Sequence, residues 1–472
     1  MSTPAPEEQL AALDAAIVAR PDHVELYYHR AAVLARLGRT DAARQDYLAA
    51  LALDPAHFGA LTDLGGLLYA TDFRSAARLV YAEAVKHHPG EPIARINLAN
   101  ALLANDALEE ARFQFETALR LAPDHPDAHQ GLANLLQQIG DSDGAEAHRR
   151  RSYGRRGLLH TPHLGDGEPC RVLILASAAG GNVPTRFILD PATFETHTLA
   201  VEAFAPGASL PAHAVVFNTV GDADLSPEAF DAAERVLAHT AAPVINPPAR
   251  VRATDRQSNA RRLARVPGVI APRVDTVDRE AVAARAAELG YPLLLRSPGY
   301  HTGRHFTKVD HADALAAALA ALPGRDLLLI QYLDARDADG RSRKYRAMMI
   351  GGALFPLHLA VSDDWKVHYF TSAMADQPAY RAEEEAFLND MAAVIGPRAM
   401  RALEGIRDVL ALDYAGVDFG LSADGSVLLF EANATMVVNP PAAEPVWDYR
   451  RAPTARILDA ARSLVLERGL PR

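Results

Sequence analysis

Along the first third of the chain, apolar positions recur with one fixed spacing. Ala43, Ala77 and Ala111 lie 34 residues apart, as do Tyr47, Tyr81 and Phe115. Ala50, Ala84 and Ala118 keep the same period, and so do Leu34, Leu68 and Leu102. Pro21, Pro55, Pro89 and Pro123 punctuate it. Self-similarity of this length marks a stacked array, here with two helices per unit. The small residues let paired helices approach closely, and the aromatic fills the gap between neighbouring units. The proline ends the second helix and starts the turn to the next unit. On this frame the units run 24–57, 58–91 and 92–125. Residues 1–23 supply a half-unit, and 126–155 a decayed fourth unit carrying Leu132, Leu136, Gly140 and Ala145.

These landmarks resemble the tetratricopeptide repeat family. The resemblance implies an all-α solenoid over 1–155 with a concave groove for a peptide or protein partner. Tyr28, Thr62, Tyr69, Ile96, Asn100, Asn134 and Gln137 would line that groove. Asn100 and Asn134 are one period apart and would stack on one face. A bound peptide backbone and docking onto the rest of this chain both fit them.

Past residue 155 the period disappears. Residues 156–170, rich in Gly, Pro and Arg, read as a linker. Short apolar runs then alternate with helical patterns. Strands are expected at 171–176, 213–220 and 242–248, with a helix near 227–239, which predicts an α/β unit with a parallel sheet over 171–253. The Gly180-Gly181-Asn182 turn after the first of these strands suits an anion or a plain strand-to-helix turn. Further on, helices are expected at 254–264 and 278–289. A strand then ends in Arg296 and leads to a loop containing Gly299 and Gly303, followed by a second strand near His305. A buried strand ends in Gln331, and a hairpin over 341–361 turns at Gly351-Gly352.

About half of the 472 residues are apolar, so each domain has a core to bury. A formal net charge of -11 argues against nucleic acid as the partner of the whole chain. The one cysteine, Cys170, excludes an internal disulfide or a thiolate metal site and points to a reducing, cytoplasmic setting. The first residues carry no secretory pattern, and no apolar run is long enough to span a bilayer, so no membrane partner is expected.

The sharpest chemical pattern is the segment 416–435. Strand patterns flank Asp424-Gly425, a two-residue hairpin signal. In the register that turn sets, Phe419 faces Phe430 and Asp418 faces Glu431. Opposed side chains sit about 5 Å apart at Cβ, so two carboxylates there repel unless a cation joins them. Asn433 shares the face of Glu431. Asp, Glu and Asn form an oxygen-only set suited to Mg2+ or Mn2+.

The ordered pieces from about 170 onward resemble the ATP-grasp superfamily, in the style of glutathione synthetase and the ribosomal-protein glutamate ligases. These pieces are 244–256, Gln331-Tyr332-Leu333, Lys344-Tyr345-Arg346, and Asp418, Glu431 and Asn433. The resemblance implies an N-terminal lobe over 254–330 and a C-terminal lobe over 331–472, with ATP between them. It implies adenine at Gln331, Tyr332 and Leu333, phosphate at Arg256, Arg296 and Gly303, and metal at Asp418, Glu431 and Asn433. Arg346 and Lys344 would be catalytic. The implied activity is an ATP-dependent carboxylate–amine ligase acting through an acylphosphate on a small-molecule or peptide carboxylate. The family's usual lysines appear here as Arg296 and, in the pair Asp255-Arg256, as Arg256. Those departures keep two alternatives open, a phosphotransferase and a non-catalytic nucleotide-binding scaffold. The block 358–374 matches no shared motif. His358, Lys366 and His368, with Trp365 and Tyr369 nearby, are its candidates for acceptor recognition.

Overall fold

The computed structural model of the protein describes residues 6–470 other than 72, 106, 140, 154–156, 206, 226, 299–304, 368, 370, 371 and 443, and all their side chains except those of 137, 138, 142, 143, 146, 150 and 153. The chain divides into two compact units, Met1–Arg155 and Arg156–Arg472.

Among the described residues the regular elements of the first unit are helices: α1 (Pro6–Ala19), α2 (Val24–Arg36), α3 (Thr40–Leu53), α4 (Phe58–Ala70), α5 (Arg74–His87), α6 (Pro92–Ala104), α7 (Leu108–Leu121), α8 (Pro126–Ile139) and α9 (Ser142–Tyr153). Helices α2 and α3, α4 and α5, α6 and α7, and α8 and α9 pack as successive pairs. The periodic positions are where those helices meet. Ala43, Ala50, Ala77, Ala84, Ala111 and Ala118 are all fully buried, and Tyr47, Tyr81 and Phe115 are buried with them. A Cβ built on Gly65 of α4 would lie 2.4 Å from the Tyr81 ring, so glycine there lets the aromatic sit flush against the helix. Helices α8 and α9 form the expected last pair, with Leu132, Leu136 and Ala145 buried; Gly140 lies outside the described residues. Asn100 and Asn134 are exposed on α6 and α8. Ile96 is 1% exposed, so it is a core residue and not a groove residue; its apolar side chain fills the space between helix pairs. The Thr62 hydroxyl donates to Phe58 O within its own helix. Gln137 lies on α8, but its side chain is outside the described set.

The strands described in the second unit are β1 (Leu158–Thr161), β2 (Cys170–Ala176), β3 (Phe194–Ala200), β4 (Val215–Asn218), β5 (Val244–Ile245), β6 (Val269–Ile270), β7 (Val274–Asp278), β8 (Leu293–Arg296), β9 (Phe306–Val309), β10 (Asp326–Gln331), β11 (Ser342–Ile350), β12 (Ala353–Ser362), β13 (Tyr414–Leu421) and β14 (Val427–Asn433). Its helices are α10 (Pro227–Leu237), α11 (Pro248–Arg252), α12 (Arg256–Leu263), α13 (Val282–Leu289), α14 (Leu315–Ala320), α15 (Pro378–Asn389), α16 (Met391–Leu410) and α17 (Arg451–Gly469). Among the described residues the strands form three sheets, in the orders β1-β3-β2-β4-β5, β7-β10-β8-β9 and β12-β11-β13-β14-β6.

In the first sheet β2 to β5 run parallel, as the strand–helix alternation predicts, while β1 is antiparallel to β3. The expected linker 156–170 therefore contains an edge strand. With one neighbour and three exposed residues, β1 has almost no burial pattern to announce it. The second sheet is antiparallel with its own small core around Val282, Leu293, Leu295 and Leu327. Strand β6, which lies within 254–330, the stretch the resemblance gives to the N-terminal lobe, pairs in parallel with β14 in the third sheet. Residues 271–273 carry the chain from one sheet to the other, and 332–341 carry it back.

The hairpin β13–β14 differs from the expected register near its turn. Leu421 pairs with Val427, so the connection spans residues 422–426 and not two residues, and Phe419 faces Leu429. Asp424 closes the wider turn by accepting from Ser422 Oγ at 2.6 Å and Ser426 N at 3.0 Å. A bulge at Phe430 then restores the pairing, and Asp418 does oppose Glu431. No described helix is long and apolar enough to cross a membrane.

Candidate functional site

Charged side chains from helix α12 and from the second and third sheets converge on the Asp418–Glu431 pair. Asp418, on the central strand β13, is 4% exposed. Arg346 on the neighbouring β11 is its register partner and grips both its oxygens, Nε on Oδ1 at 2.5 Å and Nη2 on Oδ2 at 2.8 Å. Lys344, two residues earlier and so on the same face, reaches Oδ2 at 3.2 Å. Burial alone would raise the Asp418 carboxyl; Arg346 and Lys344 outweigh it and hold it far below the carboxylate range.

Glu431 is tied to Arg256, whose Nη2 donates to Oε1 at 2.7 Å, while Nη1 donates to Asp224 at 2.7 Å. Arg256 opens α12, and Asp255 before it is the helix N-cap, accepting from Ser258 N at 2.8 Å. Burial pushes the Glu431 carboxyl up, and Arg256 and Arg296 more than reverse that. Asp224 behaves oppositely: burial leaves its carboxyl raised despite Arg256. Arg296 closes β8 beside the Phe306 ring, and burial together with the nearby Arg256 charge lowers its guanidinium pKa.

Asn433 donates from Nδ2 to Glu431 Oε1 at 2.9 Å, and its Oδ1 accepts from Thr435 N and Oγ1, each at 3.0 Å. The triad is thus a cluster, but the amide oxygen faces Thr435. As a cation site the set fits in part. The donors are oxygen, and both carboxylates are held ionised; each is also already compensated by a guanidinium.

At the other end of the site, Gln331 is the last residue of β10 and is pinned by backbone, donating to Arg273 O at 2.8 Å. Tyr332 and Leu333 open the crossover to β11. A hollow of about 490 Å³ beside them is lined by Lys308, Tyr332, Arg336, Asp363, Asp364 and Trp365. Lys308 Nζ lies 4.6 Å from the Tyr332 ring centre, and the Trp365 ring meets Tyr332 and Phe306 edge-on.

The 358–374 block splits. Trp365 lines the hollow, and Lys366 Nζ lies 3.5 Å from Phe306 O. His358 is buried on β12 against the Tyr369 ring, and burial, reinforced by Arg346, keeps its imidazole neutral. Tyr369 is buried too, its hydroxyl donating to Glu384 at 2.9 Å and its ring covered by Arg450. Both are placed for packing and not for meeting an acceptor. Gly303 and His368 lie outside the described residues.

Four participants are absent from the sequence reading. Asp222 and Asp224 follow β4, and only tertiary folding brings them to Arg256. Lys308 and Asp363 reach the hollow from β9 and from the loop after β12. The signal for Asp222 and Asp224 was available in part. Gly181 faces Asp222 so closely that a Cβ would come within 2.6 Å of it, and its carbonyl accepts from Gly221 N and Asp222 N.

Among known families, tetratricopeptide repeat profiles match residues 24–57 and 66–126. The N-terminal region therefore carries tetratricopeptide repeats, which serve as protein- and peptide-interaction modules. Solved structures similar to the chain include MamA 41-end from Desulfovibrio magneticus RS-1, 26% identical over 31% of this chain and 83% of that one, with a TM-score of 0.30. They also include pilF of Pseudomonas aeruginosa, 23% identical over 31% of this chain and 67% of that one, TM-score 0.30. A third is YrrB, titled a TPR protein with an unusual peptide-binding site, 20% identical over 32% and 78%, TM-score 0.29. No curated protein matches the chain.

Proposed function

We propose that the second unit is an ATP-dependent carboxylate–amine ligase of the ATP-grasp type, and that the repeats recruit its peptide or protein substrate or a partner. One observation carries the reading. Arg256, Arg296, Lys344 and Arg346, from one helix and two sheets, gather around two opposed, ionised carboxylates. Such a cluster suits a ligand that brings both phosphate and a divalent cation. An antiparallel sheet and a mixed one joined by 332–341, with a hollow at Tyr332, would supply two lobes and a place for a base.

Asp418 and Glu431 would hold Mg2+ or Mn2+, which neutralises phosphate charge when bound. The guanidinium groups of Arg256 and Arg346 would then turn from carboxylate to phosphate. In the reaction the γ-phosphoryl group passes to a carboxylate, giving ADP and an acylphosphate. An amine attacks the acyl carbon, phosphate leaves, and an amide forms. Arg346 and Lys344 stand beside the carboxylates to offset the oxyanion charge.

The test is Mg2+-dependent ATP binding and ADP release by the full chain and by Glu431→Gln. We expect the variant to lose roughly 100-fold or more in nucleotide affinity, beyond what displaced supporting groups cost in metal sites. Unchanged binding removes the carboxylate assignment. A phosphorylated product in place of an amide replaces the ligase with a phosphotransferase. Binding without turnover for any acceptor favours the scaffold.

A further inference from the structure

The exposed side of the first sheet holds a second cluster, separate from the nucleotide reading. His160 on β1 is paired with His197 on β3. Glu195, two residues before His197, lies on the same face of β3. One ligand atom from each of the three lies within 4.8 Å of the others; among the described residues no other group of three His, Cys, Asp or Glu does this. His160 Nε2 is 3.0 Å from Glu195 Oε1, and the two imidazoles stack with centroids 4.4 Å apart and planes inclined by 15°. Arg171 Nε donates to the other oxygen, Glu195 Oε2, at 3.0 Å. His197 Nδ1 is buried with no hydrogen-bond partner among the described residues.

We propose that His160, Glu195 and His197 form a zinc site that clips the edge strand β1 to β3. Two imidazoles and one carboxylate match the ligand types zinc takes, with a fourth position left to water. Mg2+ and Ca2+ prefer oxygen donors, so the histidines select against them. Ligation needs neutral imidazole and ionised carboxylate. Arg171 on Oε2 leaves Oε1 for the metal and fixes the carboxylate's orientation, as supporting groups do in metal sites. Lone pairs of stacked, nearly parallel rings do not converge. His160, exposed on an edge strand, is therefore the ring that turns, and the stack opens as the ion enters. The gain falls on β1, a four-residue strand with a single neighbour.

The experiment titrates the untagged, metal-stripped full chain with Co2+ as a spectroscopic probe and then displaces it with Zn2+. The visible cobalt bands of a low-coordinate nitrogen–oxygen site should saturate at one equivalent and vanish on adding zinc. His160→Gln, which alters an exposed residue and leaves the core intact, should weaken Zn2+ by about tenfold or more. His160→Gln combined with His197→Gln should abolish the bands. Glu431→Gln should leave them unchanged, which separates this site from the proposed nucleotide site. Absence of the bands in the unaltered chain, or equal affinity in the doubly substituted chain, overturns the proposal.

Discussion

Replacing Asp418 by Asn tests whether the buried charge pair on β13 is held by its own partners. The side chain of Asp418 is 6% exposed and that of Arg346 only 21%. Removing one member of a buried pair leaves the other charge uncompensated, which costs about 3–5 kcal/mol. Asn keeps the shape and one acceptor, so the low end, ~3 kcal/mol, is expected. Both tryptophans of the chain, Trp365 and Trp447, lie in the second unit, so urea unfolding followed by tryptophan fluorescence reports on that unit without a tryptophan signal from the repeats. With a slope of about 3 kcal/mol per molar urea, the midpoint should fall by ~1 M. Arg346→Met in the Asp418→Asn background should recover part of the loss, because the more tightly bound of the two stranded cations, Arg346 and Lys344, is then gone. The pH dependence follows from the lowered carboxyl of Asp418. A group whose folded pKa is depressed gives its full stabilisation above its unfolded value, 3.8, and loses it as pH falls towards the folded value. The variant's deficit should thus be constant between neutral pH and pH ~5 and shrink only below pH ~4. A deficit under ~1 kcal/mol, or no recovery with Arg346→Met, refutes the account.

Two other substitutions probe packing and titration. Gly65→Ala gains up to ~1 kcal/mol of helix propensity but sets a Cβ 2.4 Å from the buried Tyr81 ring, and overpacking of ~1–3 kcal/mol should win; Gly66→Ala, with its nearest atom at 3.8 Å, should stabilise, so thermal melts of helicity should move in opposite directions for these neighbours. His358→Phe removes an imidazole whose pKa burial holds well below 6.5; since the unfolded chain takes up that proton first, the unaltered protein should lose up to ~1.4 kcal/mol per pH unit below 6.5 relative to the variant, and parallel stability–pH curves for the two in urea titrations would exclude a buried neutral histidine.

The repeats are legible because the periodic alanines, leucines and aromatics are themselves packing contacts, while the periodic prolines mark the exposed turns. Six fully buried alanines and three buried aromatics repeat one geometry, so the sequence states the same constraint three times. The hairpin is legible only through two offsetting departures. Asp424 binds Ser422 and Ser426 and widens the turn, and the bulge at Phe430 takes up the slipped residue. Alternation of apolar and polar positions specifies neither, since a turn closed by side chains leaves no mark on the period. Strand β1 is hidden for the opposite reason: an exposed edge strand needs no apolar face. Asp224 is hidden because its partner, Arg256, is thirty-two positions away along the chain and on a different element.

The charge balance of the site bears on how a ligand would enter it. Arg256, Arg296, Lys344 and Arg346 stand against Asp222, Asp224, Asp418 and Glu431; Arg256 pairs with Asp224 and Glu431, and Lys344 and Arg346 pair with Asp418. A phosphate chain alone would compete with those carboxylates for the guanidinium groups and strand Asp418 and Glu431 as buried, unpaired anions, which is costly. A divalent cation alone would do the reverse and strand the arginines. On the proposed reading, a nucleotide carrying its cation satisfies both sets at once: the metal takes the carboxylates, and the guanidinium groups keep an anion on the phosphates. Arg256 gives one bond to each of two carboxylates, Asp224 and Glu431, so on the proposed reading it can pass one nitrogen to a phosphate and keep the other on Asp224.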